Sequence, residues 1–272
     1  MIRAVFFDID GTLVSFRTHE VPPSARYAIK RLREKGIKVF IATGRHLMAI
    51  NNLGDLEFDG YVTLNGGLCY AGKGETTVYK HPIPHEDVGA FLNYMEQRPL
   101  PCVFVREHDM YLNFSDERVE EVFRMLNFIR VPMADLRTKA DEEVMQFIAF
   151  FGKESEEELM RCLPHCRATR WFHTFSDIVP STTSKTVGIY RLCAHYGIAP
   201  EEIMAFGDGG NDIEMLRDMA LGVAMGNAEE EVKEVADYVT SSVDDDGVYR
   251  ALCHFGLLED DFRGQERGQD SK

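Results

Sequence analysis

Asp8 and Asp10 stand two residues apart directly after a nearly continuous apolar run over 2–7, and Gly11-Thr12 follow them. On an extended chain that spacing turns both carboxylates to the same side. Carboxylates held close repel, so either one keeps a proton or a cation sits between them. Both outcomes are useful, since one acid can serve as a nucleophile and the other as a general acid–base. A bare pair of acids in a turn carries no such meaning. Its place at the end of a buried first strand does, because open parallel sheets bind ligands at the C-terminal ends of their strands. Gly11 permits a tight turn, and the Thr12 hydroxyl is expected to bond the turn backbone.

A second acidic motif, Gly207-Asp208-Gly209-Gly210-Asn211-Asp212, follows another short apolar run over 203–206. Asp208 is expected to cap the next helix, with Asn211 and Asp212 in its first turn, where N–H groups favour anions. If the two strands are neighbours, Asp208 joins Asp8 and Asp10 in a hard, oxygen-rich site that selects Mg²⁺ over zinc. Thr43-Gly44 ends a further strand and offers a hydroxyl and a backbone N–H, a small anion-binding corner. Arg45 adds a donor within reach of an anionic substrate. Lys185 opens a helix, where a cation opposes the macrodipole unless an anion partners it. Singly these are weak, since a plain turn, a surface arginine and a solvated lysine explain them equally well.

The elements that must position these residues alternate. The first eighty residues read as strand over 2–7, helix from Ser24 as cap to Gly36 as stop, strand over 37–42, helix over 47–53 and strand over 61–64. After residue 185 the rhythm returns: helix 186–196, strand 203–206, helix 211–219, strand 221–224, helix 229–236, strand 238–240 and helix 247–253. Such alternation implies an α/β fold with a Rossmann-like parallel sheet. Pro82 and Pro84, then Pro180 with 181–184, bound a middle segment of different character. It reads as helices over 86–96, 117–126 and 154–163 around strands over 102–105, 110–113, 144–151, 168–172 and 177–179, an inserted α+β domain with helices on one face of a sheet. The expected division is therefore a core over 1–81 and 184–272 and an insert over 82–183. The polar stretch 259–272 is expected to fray.

Composition narrows the partners. The net charge of −15 in 272 residues argues against nucleic-acid binding, which needs clustered Lys and Arg, yet leaves room for a small phosphorylated metabolite held by a metal and local cations. No run approaches the roughly 20 apolar residues of a membrane span, and the N-terminus reads as a strand, not a signal peptide. Six scattered cysteines suit reduced thiols in a cytoplasm. Cys162, His165, Cys166 and His173 could be imagined as a metal cluster, but no second close pair completes it.

The ordered set Asp8-x-Asp10-Gly11-Thr12, Thr43-Gly44-Arg45, Lys185 and Gly207-Asp208-Gly209-Gly210-Asn211-Asp212 resembles the haloacid dehalogenase superfamily of phosphatases. The insert between the second and third motifs is similar to the type C2B cap of the Cof-like group of sugar-phosphate phosphatases, as are segments 223–228, 236–240 and 246–248. The resemblance implies that Asp8 attacks phosphorus while Asp10 protonates the leaving alcohol and then activates water. It implies that Thr43, Gly44, Lys185 and Asn211 hold the phosphoryl group. Mg²⁺ would lie on Asp8, Asp208 and the Asp10 backbone carbonyl, with Asp212 supporting its shell. Asp177, on the last strand of the insert, would bond sugar hydroxyls, with Trp171 and His173 nearby. The family often has Ser-Lys-Gly where this chain has Ser184-Lys185-Thr186. The expected activity is Mg-dependent hydrolysis of hexose or related phosphates by a cytoplasmic monomer or weak homo-oligomer. A phosphosugar mutase and a non-enzymatic phospho-accepting signalling module are the alternatives.

Overall fold

The computed structural model describes residues 1–262; residues 263–272, most of the polar stretch expected to fray, lie outside the described residues. In chain order the strands are β1 (Ala4–Phe7), β2 (Lys38–Ala42), β3 (Gly60–Thr63), β4 (Leu68–Ala71), β5 (Thr76–Lys80), β6 (Cys102–Arg106) and β7 (Met110–Leu112). They continue as β8 (Val144–Ala149), β9 (Cys166–Phe172), β10 (Phe175–Pro180), β11 (Ile203–Gly207), β12 (Leu221–Ala224) and β13 (Tyr238–Val239). The α-helices are α1 (Pro23–Glu34), α2 (His85–Gln97), α3 (Glu117–Met125), α4 (Glu156–Cys162), α5 (Lys185–Tyr196), α6 (Ile213–Asp218), α7 (Glu230–Lys233) and α8 (Gly247–His254). The chain divides into two compact units, one of 1–41, 52–59 and 198 onward, the other of 42–51 and 60–197. Residues 60–81 and 184–197 thus group with the inserted segment.

In the first unit five strands run parallel in the order β13-β12-β11-β1-β2. All four residues of β1 are fully buried, which explains its unbroken apolar run. Phe6 stacks on Phe40 at 4.6 Å between centroids and Phe7 on Phe206 at 5.1 Å, tying β1 to its two neighbours. Phe7 is in register with Phe206, and the Asp8 N–H donates to the Phe206 carbonyl at 3.0 Å. Asp8 and Asp208 therefore leave the sheet side by side at one end. Helix α1 differs from expectation at its start: Pro22 is the N-cap and Pro23 opens the helix, where a missing N–H costs nothing. Ser24 lies inside α1 with its hydroxyl buried and unpartnered. Residues 259–262 do not fray, since the Tyr249 hydroxyl takes the Phe262 N–H at 3.0 Å and bonds the Glu259 carbonyl at 3.0 Å.

The second unit holds an antiparallel meander, β3-β4-β5, against which α5 packs. Strands β4 and β5, joined through Gly72 and Gly74, are absent from the sequence expectation. The expected helix over 47–53 is a short 3₁₀ turn, Leu47–Ala49. The Ala49 carbonyl, which a longer helix would pair internally, accepts from the Arg45 guanidinium at 3.0 Å. A separate five-stranded antiparallel sheet has the order β7-β6-β8-β10-β9. Its side chains alternate: Cys102 and Phe104 pack with Phe91 of α2 and Leu159 of α4, while Val103 and Val105 pack with Val119 and Val122 of α3. Helices thus cover both faces instead of the expected one, because the strands are apolar on both sides. No helix among the described residues is long and apolar enough to cross a membrane.

Candidate active site

The acidic end of the first unit's sheet is built by two turns. After β1 the chain reverses at Gly11, φ +87°, and the Gly11 N–H donates to the Val14 carbonyl at 2.9 Å. A Cβ at Gly11 would fall 2.1 Å from Asp208 Oδ2, so only glycine lets the Asp208 carboxylate lie against this turn. After β11 a 3₁₀ turn, Gly210–Asp212, precedes α6, and the buried Asp212 Oδ2 accepts the N–H groups of Asp208 at 3.0 Å and Gly209 at 2.9 Å. Asp212, not Asp208, therefore satisfies the open N–H groups of this turn. The Asp208 carboxylate is instead held by the Thr12 hydroxyl, which donates to Oδ1 at 2.8 Å, and by Asn227 Nδ2, which donates to Oδ2 at 3.2 Å. Thr12 thus bonds a carboxylate and not the expected turn backbone.

Carboxylate oxygens of Asp8, Asp208 and Asp212 lie within 4.8 Å of one another. Three carboxylates so close, two of them on buried side chains, repel one another when ionised, which a cation among them would offset. An all-oxygen donor set fits a hard divalent cation. Asp10, half-buried, stands next to this group on the Gly11 turn and is not one of the three. Asn211 lies in the 3₁₀ turn beside Asp212. Asn227 has no counterpart among the residues singled out from the sequence. It also donates to the Gly11 carbonyl at 2.9 Å and accepts from the Val243 N–H at 2.9 Å, so it fastens the Gly11 turn and Asp208 together. Its signal was the segment over 223–228.

Thr43, Gly44, Arg45, Lys185 and Asp177 belong to the second unit. The Thr43–Arg45 corner is pinned by backbone bonds from Thr43 N to Val62 O at 2.8 Å, Asn65 N to Thr43 O at 3.1 Å and Leu64 N to Arg45 O at 3.2 Å. The Thr43 hydroxyl accepts the Arg45 N–H at 3.1 Å, which directs its own hydrogen to another partner. Lys185 is 1% exposed and opens α5 behind Ser184, whose Oγ accepts the Val187 N–H at 3.3 Å. Close packing locates that helix start: Gly66, φ +93°, sits so near the Ser184 carbonyl oxygen that a Cβ would lie 1.9 Å from it. The Arg45 guanidinium is buried and donates to the carbonyls of Ala49 at 3.0 Å and Leu126 at 2.8 Å. Those bonds give it a role in holding the corner. Asp177 is 4% exposed, and burial pushes its carboxyl up to about 7, against the opposing pull of the Asn65 hydrogen bond and the Lys185 charge.

The imagined cluster of Cys162, His165, Cys166 and His173 does not assemble among the described residues. His165 instead pairs with Asp87, through Nδ1 to Oδ1 at 3.0 Å and its N–H to Oδ2 at 3.0 Å, while Cys162 is exposed and its Sγ turns to the Glu158 carbonyl. The Trp171 side chain lies outside the described residues.

A family model for haloacid dehalogenase-like hydrolases matches residues 5–252. The chain is 31% identical over 260 residues to YkrA of Bacillus subtilis, covering 94% of this chain and 99% of that protein. It is 29% identical over 266 residues to the 5-amino-6-(5-phospho-D-ribitylamino)uracil phosphatase YitU of the same organism, covering 93% and 97%. Among solved structures it superposes on BT4131, described as a subclass IIB sugar phosphatase of this superfamily, with a TM-score of 0.89 and 44% identity over 94% of this chain and all of that one.

Proposed function

Because the chain belongs to the haloacid dehalogenase-like hydrolases and is a phosphatase of that family, we propose that it hydrolyses small phosphorylated metabolites, hexose phosphates foremost, with Mg²⁺ and through a phosphoryl group carried on Asp8. The observation that supports this most is the Asp8–Asp208–Asp212 cluster at the end of a parallel sheet, with Thr12 and Asn227 aiming Asp208. In this reading 1–81 and 184–272 form the catalytic core and 82–183 the cap that selects substrate.

An Asp8 carboxylate oxygen forms a bond to phosphorus as the bond to the leaving alkoxide breaks, and Asp10 gives that alkoxide its proton. Asp10, now ionised, takes a proton from the water that attacks the same phosphorus, and the P–O bond to Asp8 breaks. Thr43, Gly44, Lys185 and Asn211 hold the phosphoryl oxygens, as positioned donors do for charge that develops in the transition state. Mg²⁺ would be held by Asp8, Asp208 and the Asp10 carbonyl, with Asp212 behind them, and would supply positive charge against the phosphoryl oxygens. Leaving alkoxides need a proton and halides do not, so Asp10 favours ester hydrolysis over dehalogenation. Arg45 and Asp177 are the chain's own links from this chemistry to a substrate's remaining groups. The six free thiols support a reducing cytoplasm as its place, and action as a monomer or weak homo-oligomer is part of the same reading.

The test is release of inorganic phosphate from p-nitrophenyl phosphate and from hexose 6-phosphates, with Mg²⁺ and with chelator, for the natural chain and for Asp8→Asn. Turnover that needs Mg²⁺ and vanishes in Asp8→Asn is expected. Full activity in Asp8→Asn would refute the mechanism, and sugar isomer formed without free phosphate would assign a mutase.

A further inference from the structure

The second unit buries three polar side chains that phosphoryl transfer as written above leaves without a task at the phosphorus: Asn65 after β3, Gln146 on β8 and Asp177 on β10. Their exposures are 1%, 0% and 4%. Packing apolar residues there would avoid the cost of desolvating three polar groups, so their presence calls for a reason beyond stability. They form one directional chain. Asn65 Nδ2 donates to Asp177 Oδ2 at 3.1 Å and to Gln146 Oε1 at 3.4 Å, and Gln146 Nε2 donates to the Gly44 carbonyl at 3.4 Å. Gly44 also rests directly on the cluster, since a Cβ there would lie 3.0 Å from Asp177 Oδ2 and 3.2 Å from Asn65 Nδ2. Asn65 itself adopts φ +52°, ψ +33°, a left-handed conformation that asparagine tolerates better than most residues. The chain thus places an amide in a strained turn in order to bridge two strands of the five-stranded sheet to the residue that follows Thr43.

We propose that Asn65, Gln146 and Asp177 are positioning residues that clamp the Gly44 peptide, so that strands of the specificity-bearing sheet govern how well the Thr43–Gly44 corner receives a phosphoryl group. The proposal rests on the phosphatase reading for the corner's role, while the clamp itself stands on the geometry. The Gly44 N–H lies in the peptide it shares with Thr43, whose carbonyl accepts the Asn65 N–H at 3.1 Å, so Asn65 holds that peptide through its backbone while Gln146 holds the next one through the Gly44 carbonyl. Loss of the Gln146 amide removes its bond to the half-buried Gly44 carbonyl, loss of the Asn65 amide removes the bonds that orient Gln146 and Asp177, and either loosens the corner. Rotation of a phosphate donor by a few tenths of an ångström weakens ground state and transition state alike.

The test uses the full chain with Gln146→Leu and, on a different element, Asn65→Gly, in which glycine accommodates the positive φ. Three constants are read: KM for p-nitrophenyl phosphate, the inhibition constant of inorganic phosphate, and the Mg²⁺ concentration for half-maximal rate. Each variant loses two side-chain hydrogen bonds, and the first two constants are expected to rise about tenfold in each. The Mg²⁺ constant is expected to stay within about twofold, because the acids that would hold the ion belong to the other unit. A merely structural role would lower the melting temperature and move all three constants together. Phosphate inhibition within about twofold of the natural chain in both variants would overturn the clamp. If the natural chain hydrolyses nothing, the phosphatase reading fails by itself, and calorimetric titration with inorganic phosphate decides the clamp: weaker binding in Gln146→Leu supports it, and equal or absent binding overturns it.

Discussion

Thr12→Val removes one hydroxyl and almost nothing else, which makes it a sharp probe of the acidic site. Thr12 is fully buried, and its Oγ1 lies 2.8 Å from Asp208 Oδ1. Valine has nearly the same shape, so no cavity opens and the β1 turn keeps its packing. A hydrogen bond to an ionised carboxylate contributes roughly 1.5–3 kcal/mol. Partners that orient a metal-binding carboxylate typically change metal affinity about 10- to 100-fold, which is roughly 1.4–2.7 kcal/mol. The two independent figures coincide, so the whole loss should appear in metal binding. Asn227 still donates to Oδ2 at 3.2 Å, which keeps Asp208 from swinging away altogether. The expected result is a half-saturating Mg²⁺ concentration raised about 10- to 100-fold, with kcat at saturating Mg²⁺ within about threefold of the natural chain. Thr12→Ser keeps the donor and should stay near the natural value. Hydrolysis of p-nitrophenyl phosphate across a Mg²⁺ titration reads both numbers, and the Mg²⁺-induced rise in Tm gives the affinity without turnover. An unchanged Mg²⁺ constant in Thr12→Val would refute the argument that Asp208 is a metal ligand aimed by this hydroxyl.

Asp177 gives a pH prediction. Its folded value, about 7, lies above the ordinary 3.8, so the folded chain holds a proton that the unfolded chain releases. Stability should therefore fall as pH rises from about 4 to 7, by up to roughly 4 kcal/mol, and stay low above that. Asp177→Asn should flatten that slope in chemical denaturation at pH 5 and pH 8, and an equal slope in both proteins would count against it. Gly66→Ala forces a Cβ to 1.9 Å from the Ser184 carbonyl oxygen at φ +93°, and should cost at least about 3 kcal/mol of stability and displace Lys185. Denaturant midpoints and the inhibition constant of phosphate check the two parts separately. Asn227→Ala should weaken Mg²⁺ about tenfold, since it unties Asp208 from the Gly11 turn; a Mg²⁺ titration identical to that of the natural chain would exclude this.

Strands β1, β11 and β12 were plain in the sequence because strands buried on both faces leave an unbroken apolar run, and those runs place Asp8 and Asp208. The hairpin β4–β5 was not, since β5, Thr76–Lys80, is exposed or half-buried along its length and has no apolar run. Residues 47–53 look helical by composition, but their polar groups are taken up otherwise, the Ala49 carbonyl by the nearby Arg45 guanidinium and the Asn51 side chain by the distant Asn127 carbonyl. The short helices fail for a related reason. Residues 229–236 carry a helix-favouring composition, yet only Glu230–Lys233 are helical, because local propensity is a weak prior against packing. The polar cluster of Asn65, Gln146 and Asp177 could not be read at all. Its members are 81 and 112 residues apart from Asn65 along the chain, and an isolated Asn, Gln or Asp gives no sign that it will be buried.

The cap expected at Asp208 and found at Asp212 explains how the acidic turn is built. Asp208 follows a strand and precedes a helical segment, the usual context of an N-cap, and a capping Asp208 would turn its carboxylate toward its own helix. Asp212, at the end of the 3₁₀ turn, takes that task by accepting both the Asp208 and Gly209 N–H groups. A carboxylate that accepts two N–H groups is oriented by them, so Asp212 is held behind the cluster. Asp208 is then turned the other way, to Thr12 and Asn227 and toward Asp8. The glycines of the motif matter for the same reason, since they let this loop close tightly enough for Asp212 to reach back. One acid holds the turn so that its neighbour can face the Asp8 carboxylate, and this division of labour gives each acid of the motif its own task.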